Sequence, residues 1–288
     1  MKLDKLIIAV TFYYVEGRLK YLSAISQEFA NLAHEIEVFI ITNTKDEAHH
    51  EKINASLDAR LQAKIFVPQL LGHPYLLTWC HFSIFREQFE QNESISHFMY
   101  LEDDILIRPN NIAYWLQARE DLRPYGLIPS FLRFELKAGD TEPYSSDVTR
   151  KAPFNQLPKV KISDNYYYIN LPKPYQGMYL KDRDLMKEHL FGPSSNPDFG
   201  IWNIREKATQ GLIFANVPEG YFSRNLVGYD NSIKQIDSNA LIHHTPNNYA
   251  NNPDTEFGDL AVSELIDRSL PGYLHSLLKS KKPRKLRF

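Results

Sequence analysis

The stretch Phe98-Met99-Tyr100-Leu101-Glu102-Asp103-Asp104-Ile105-Leu106-Ile107 sets three consecutive carboxylates between two apolar flanks that each read as buried strand. Adjacent like charges repel one another and resist desolvation, so solvent, a basic partner or a bound divalent cation must offset them. Such a conflict between local pattern and a stable core marks a functional site. The plain alternative is a solvent-facing strand end paired with Arg108, since exposed ion pairs are common and contribute little.

The elements around the acids argue for an α/β fold. Residues 5–11 form a continuous apolar run suited to a strand covered on both faces, and Leu22, Ile25, Phe29 and Leu32 give residues 21–32 a helical period. A second apolar run, residues 36–42, follows at once. This order predicts a βαβ crossover and a mostly parallel sheet. Helices are expected over residues 46–63, 76–91 and 112–122, with a turn at Pro109-Asn110-Asn111. Strands are expected over residues 64–67 and 97–107, the latter carrying the acids. Ligands of open α/β sheets bind outside the carboxyl ends of the strands, so Thr11 and Thr42-Asn43 are expected near the acid cluster.

Beyond Pro124 the composition changes. Residues 137–163 hold Gly139, Asp140, Pro143, Pro153 and Pro158 with little periodicity and are expected to form long loops or a hairpin. Strands are expected at 166–170, 176–180 and 212–217, and helices at 183–190 and 198–209. Leu260, Val262, Leu265, Ile266 and Leu270 lie at helical spacing ahead of a basic terminus containing Lys279, Lys281, Lys282, Arg284, Lys285 and Arg287. Three segments result: residues 1–125, 126–250 and 251–288.

Glu102-Asp103-Asp104 behind an αβα-patterned half resembles the Asp-x-Asp region of GT-A type glycosyltransferases, here written Glu-x-Asp. The opening strand ending in Thr11, the helix before the acid strand, Gln176-Gly177-Met178-Tyr179 and the late His243-His244-Thr245-Pro246 agree with that likeness, which spans roughly residues 5–250 in order of elements. The resemblance implies a Rossmann-like, mostly parallel sheet flanked by helices, with a donor-binding half (1–125), a fused acceptor-binding and catalytic half (126–250), and a C-terminal helix and basic tail (251–288). It implies a nucleotide-sugar donor, a saccharide or lipid-linked saccharide acceptor, and Mn²⁺ or Mg²⁺ as cofactor. Asp104 would bind the metal directly, Glu102 would contact the metal through water or the donor ribose, and Asp103 would support the loop. Either His244 or His243 would complete the metal shell. Thr11, Thr42 and Asn43 fall to the donor, Trp202 and Gln176 to the acceptor. In inverting members of the class an acid in the second half takes the acceptor proton, which nominates Asp198 or Glu206. Glu206 is preferred, because Asp198 after Pro197 suits a helix N-cap and would then be committed.

The chemistry gives independent support. A departing nucleoside diphosphate gathers charge on its oxygens, and a hard divalent cation held by carboxylates neutralises it. An imidazole ligand favours Mn²⁺ over Mg²⁺. Two rival readings share the α/β core: a nucleotidyltransferase, against which residues 11–20 hold only Gly17 in place of a glycine-rich loop, and a non-catalytic carbohydrate-binding protein.

Bulk properties set the outer bounds. A chain of 288 residues at 43% hydrophobic content can bury a large core or two fused halves. Lys and Arg total 33 against 35 Asp and Glu, a net charge of −2 that gives no global pull toward nucleic acid. The lone Cys80 excludes an internal disulfide and fits a reducing compartment. No Gly-x-Gly-x-x-Gly, phosphate-loop or Gly-x-Ser-x-Gly motif occurs. The N-terminus reads as a first strand rather than a secretory signal, and no run reaches the roughly 18 apolar residues of a membrane span. A cytosolic protein is expected, with its basic terminus able to hold it at an anionic inner membrane face.

Overall fold

The computed structural model describes residues 2–69, 72–172 and 174–269. Its first apolar run is β1 (Leu3–Phe12), whose side chains alternate between two buried faces: Leu6, Ile8, Val10 and Phe12 join one core cluster, Ile7 and Ala9 the other. That two-sided burial explains the unbroken hydrophobic sequence, since alternation with polar residues is needed only where one face meets water. Helix α1 (Leu19–Phe29), β2 (Ala33–Thr42), α2 (Glu47–Ser56) and β3 (Ala63–Phe66) follow, and β2 pairs parallel with both β1 and β3. Asp46 caps α2 by accepting from the Ala48 N–H at 2.9 Å.

Residues expected as one long helix divide into a 3-10 turn, Pro74–Trp79, and α3 (His81–Gln91). Trp79 sits at the break and donates its indole N–H to the Ile204 carbonyl at 2.7 Å, tying the turn to a later segment. The acid strand also differs from expectation. β4 (His97–Glu102) pairs parallel with β1, turns at Asp103 and Asp104, and resumes as β5 (Ile105–Leu106) in another sheet. Helix α4 (Pro109–Leu122) begins three residues before the expected position, because Pro109 sits at its first turn and the Arg108 N–H is taken by Asn111 Oδ1 at 2.8 Å.

The rest of the chain adds β6 (Ile128–Pro129), β7 (Leu132–Leu136), β8 (Pro143–Ser145), β9 (Ala152–Pro153), β10 (Lys159–Lys161), β11 (Tyr166–Ile169), β12 (Met178–Asp182), α5 (Arg183–Phe191), α6 (Ile204–Gln210), β13 (Asn225–Asp230), β14 (Gln235–Ile236), β15 (Leu241–His244) and β16 (Ile266–Asp267). The central sheet has the order β12-β4-β1-β2-β3, parallel except for β12. A second sheet, β10-β11-β13-β14, carries β6 on β13, and a third runs β5-β15-β7-β8. The α/β class and the mostly parallel, helix-flanked sheet are as expected. β12 comes from the second half of the sequence yet closes one edge of the first sheet, so the halves share a sheet.

Among the described residues, two segments differ from the expected elements. Residues 212–217 form successive turns in which the Ala215 N–H bonds the Leu212 carbonyl at 3.1 Å, and Gly211 and Asn216 at positive φ block an extended run. Residues 260–269 form a 3-10 turn at Val262–Glu264 and the strand β16 on β9 instead of opening a helix, the Ala152 N–H donating to the Leu265 carbonyl at 2.7 Å. The rest of the expected C-terminal helix and the basic tail lie outside the described residues. Among the described residues no helix is long and apolar enough to cross a membrane.

Behind the central sheet α3, α5 and β12 enclose His81, His189 and Lys181, and His81 Nε2, His189 Nε2 and Lys181 Nζ have no hydrogen-bond partner. His81 Nδ1 lies 2.6 Å from the Thr78 carbonyl, which fixes its proton on that nitrogen, and its ring packs on Tyr100 at 4.0 Å. Burial holds His81 neutral, with its pKa lowered from 6.5 to about 3. Between those values the unfolded chain binds a proton that the folded chain excludes, so stability falls as pH drops through that window. Urea titrations at about pH 7 and about pH 4 on the wild type and His81→Phe should show a smaller midpoint loss in the variant. Equal losses would assign the acid sensitivity elsewhere.

Candidate active site

Glu102 ends β4 opposite Thr11 of β1, and Phe12 lies opposite Thr42 of β2, so the carboxyl ends of three parallel strands meet at one edge. The acid turn there is pinned by its backbone. The Glu102 N–H donates to the Gly177 carbonyl at 3.1 Å, while the Thr245 N–H and Oγ1 donate to the Asp104 carbonyl at 2.9 and 3.1 Å. Gly177 has φ +64, and a Cβ there would press on Arg133 and Ile105 at 3.2 Å, so glycine suits the crossing between the sheets.

All three carboxylates line a cavity of about 790 Å³ shared with Thr11, Arg18, Tyr175, Glu206 and His244. Asp103 and Asp104 are only 5% and 6% exposed, so bulk water cannot neutralise them. Arg108, the partner in the alternative reading of a solvent-facing strand end, lies instead 3.9 Å from Glu28. Arg18 takes that role: its Nε and Nη2 donate to the two Asp103 oxygens at 2.8 and 2.6 Å, and Nη2 also reaches Asp104 Oδ2 at 2.8 Å. His244 approaches from the other side, with Nε2 3.5 Å from Asp104 Oδ2 and Nδ1 2.5 Å from Glu135 Oε1. Glu135 is fully buried and its second oxygen accepts the Ala250 N–H at 2.6 Å, which fixes the imidazole plane.

This arrangement separates the titration of the acids. Burial acts to raise the Asp104 pKa, but the His244 and Arg18 contacts outweigh it and keep Asp104 ionised. Asp103 is raised, with burial foremost and Arg18 opposing. Burial, followed by the charge of Asp104, also raises Glu102, whose Oε1 accepts the Tyr175 hydroxyl at 3.0 Å. Burial would lower His244, yet hydrogen bonds to Asp104 and Glu135 raise it to about 9.

The strand parity of β15 distinguishes the two histidines. His244 faces the acids, whereas His243 points to the opposite side, stacked on Phe134 at 4.9 Å and within 2.8 Å of Asn247 Oδ1. The two candidate bases separate as well. Glu206, in the first turn of α6, lines the cavity; Arg205 holds its Oε1 at 2.9 Å and its Oε2 is buried without a partner. Asp198 is exposed outside the cavity lining, and Asn203, not Asp198, precedes α6. Thr11 lines the cavity and accepts the Tyr100 hydroxyl at 3.0 Å. Asn43 Oδ1 accepts the Tyr14 N–H at 2.8 Å, and Thr42 is buried with an unpartnered hydroxyl, neither reaching the cavity. Trp202 packs edge-on against Tyr175 at 5.2 Å, one layer behind the wall. Gln176 is buried and outside the cavity lining, and its Oε1 takes the Phe131 N–H at 2.7 Å.

Sequence reasoning missed Arg18, Glu135, Tyr175 and the Arg133–Asp147 pair, bidentate at 2.9 and 2.6 Å beneath the Tyr175 ring. Only Arg133 and Glu135 left a trace, two charges at alternate positions in Leu-Arg-Phe-Glu-Leu that share one strand face.

The donor chemistry of carboxylate oxygen and imidazole nitrogen suits a divalent cation, and Asp104 Oδ1 is buried with no partner. Among the described residues no group of three or more His, Cys, Asp or Glu is placed to hold a metal by itself. Asp104 and His244 are the residues here that could share a cation, whose remaining positions would have to come from substrate and water.

No family model and no curated protein matches the sequence. Among solved structures the chain is similar to the galactosyltransferase LgtC in complex with donor and acceptor sugar analogues, at 16% identity over 72% of this chain and 70% of that one with a TM-score of 0.36. It is likewise similar to an active-site mutant of LgtC, at 16% identity over 72% and 69% with a TM-score of 0.34.

The Glu135–His244–Asp104 chain yields a direct test. In metal-free protein the NMR titration of His244 should centre near 9, and Glu135→Gln should lower that midpoint by about 1 or more, because one of the two stabilising carboxylates is lost. An unchanged midpoint would show that Glu135 does not control the imidazole.

Proposed function

We propose that the protein is a metal-dependent glycosyltransferase of the GT-A type that moves a sugar from a nucleotide-sugar donor to a hydroxyl of a saccharide acceptor. The observation that carries this reading is the buried Asp104, shared by Arg18 and His244 at the carboxyl edge of a parallel sheet, with Oδ1 unpartnered. A cavity of about 790 Å³ falls within the size range of small-ligand sites and is large enough for a nucleotide sugar.

Asp104 and His244 would hold Mn²⁺ or Mg²⁺. Such an ion neutralises charge gathering on the leaving diphosphate. His244 must give up its proton to bind it, and Glu135 keeps the ring oriented throughout. Glu102, steadied by Tyr175, would accept from a donor hydroxyl. Glu206 accepts the proton of the attacking hydroxyl at Oε2, while Arg205 on Oε1 fixes the carboxylate plane. A base in that role corresponds to inversion at the sugar carbon. Thr11 supports the donor side, and Tyr13, Tyr75 and Phe257, all exposed at the cavity, offer flat faces to an acceptor sugar. Assembly of a surface polysaccharide, with a lipid-linked acceptor brought close by the basic terminus, is the setting that agrees with the sequence.

Turnover of a panel of nucleotide sugars with Mn²⁺ tests the reading. Chelation or Asp104→Asn should reduce donor consumption to background. Glu206→Gln should lower kcat by about 10²- to 10⁴-fold with little change in donor KM. Metal-dependent turnover unaffected by Asp104→Asn would exclude the proposal.

A further inference from the structure

Arg18 ends the 3-10 turn Glu16–Arg18 that follows β1, and reaches across to the acid turn. Its contacts are unequal. Asp103 is held through two nitrogens, Nε and Nη2, whereas Asp104 shares only Nη2. The carboxylates are buried, but the Arg18 side chain keeps 34% of its surface exposed and lines the same cavity. The guanidinium is therefore anchored on one acid, in loose contact with the second, and open toward the space a substrate would occupy.

A divalent cation on Asp104 would draw on the carboxylate charge that Arg18 now shares, and the two cations would repel at short range in a poorly solvated pocket. The single Nη2–Asp104 contact is the weaker of the two attachments and yields first. Once free of Asp104, that N–H remains beside the cavity on a planar, permanently charged group, well suited to phosphate oxygens.

We infer that Arg18 and a divalent cation compete for Asp104, and that Arg18, still anchored on Asp103, then binds the diphosphate of the donor. This rests on the proposed metal and diphosphate site and adds an exchange of partners within it.

Mn²⁺ binding to the full chain without nucleotide, followed by electron paramagnetic resonance, provides a readout independent of activity. Arg18→Gln should tighten Mn²⁺ on the order of tenfold. Arg18→Lys, which keeps the charge but lacks the planar fork that holds Asp103 through two nitrogens, should fall between Arg18→Gln and wild type and guards against a folding defect in the neutral variant. Asp104→Ala should remove the site in either background. If all three Arg18 forms bind Mn²⁺ equally and Asp104→Ala abolishes binding, the competition is overturned while the metal site stands; weaker binding by folded Arg18→Gln overturns it too. If no form binds Mn²⁺, the metal-dependent reading falls together with the inference. Calorimetry with inorganic pyrophosphate at saturating Mn²⁺ tests the second half: Arg18→Gln should weaken pyrophosphate about tenfold, and undiminished affinity would remove Arg18 from the diphosphate site.

Discussion

Two neighbouring carboxylates, buried at the tip of a parallel strand and compensated from opposite sides, are the constraint on which the site depends. Breaking such a buried arrangement by removing one partner typically costs about 3–5 kcal/mol, so the compensating groups must be held in place by the fold. Arg18 arrives from the turn after β1, His244 from β15, and Glu135 from β7, which pairs with β15 in the third sheet. The third sheet thus fixes the imidazole as firmly as the central sheet fixes the acids. β5, which continues directly from the acid turn, pairs His244 with Ile105 and locks the two sheets in register.

This geometry explains why the chain breaks a strand at Asp103 and Asp104. A straight strand would send successive side chains to opposite faces. The turn brings both carboxylates toward one cavity, and the hydrogen bonds from Thr245 to the Asp104 carbonyl stabilise the bend. Around that fixed centre the exposed Tyr13 and Phe257 sit on loops and Tyr75 on a short 3-10 turn, where changes in shape alter what binds without disturbing the buried charges.

Much of this was legible in the sequence because it is local. Unbroken apolar runs of strand length separated by helical spacing gave the parallel half, and the clash between three acids and their apolar flanks located the cavity. What was not legible depends on pairing over long distances. Nothing near Arg18 signals an acid partner 85 residues away. The choice between His243 and His244 rests on the register of β15 against β5 and β7, which one strand cannot reveal. Gln176 entered as an acceptor candidate through the resemblance carried by Gln176-Gly177-Met178-Tyr179, and in the fold its amide serves a buried backbone N–H. The turns at 212–217 defeated pattern reading because buried Leu212, Ile213 and Ala215 have the composition of a strand, while Gly211 and Asn216 set the backbone.

The most direct measurement of the central claim is a crystal structure of the protein soaked with Mn²⁺ and a nucleoside diphosphate, with anomalous scattering used to locate the metal. An anomalous peak is expected between Asp104 and His244, with the diphosphate against it and Arg18 still held by Asp103. A cavity containing the nucleotide but no anomalous peak, with Arg18 still bridging Asp103 and Asp104, would contradict it.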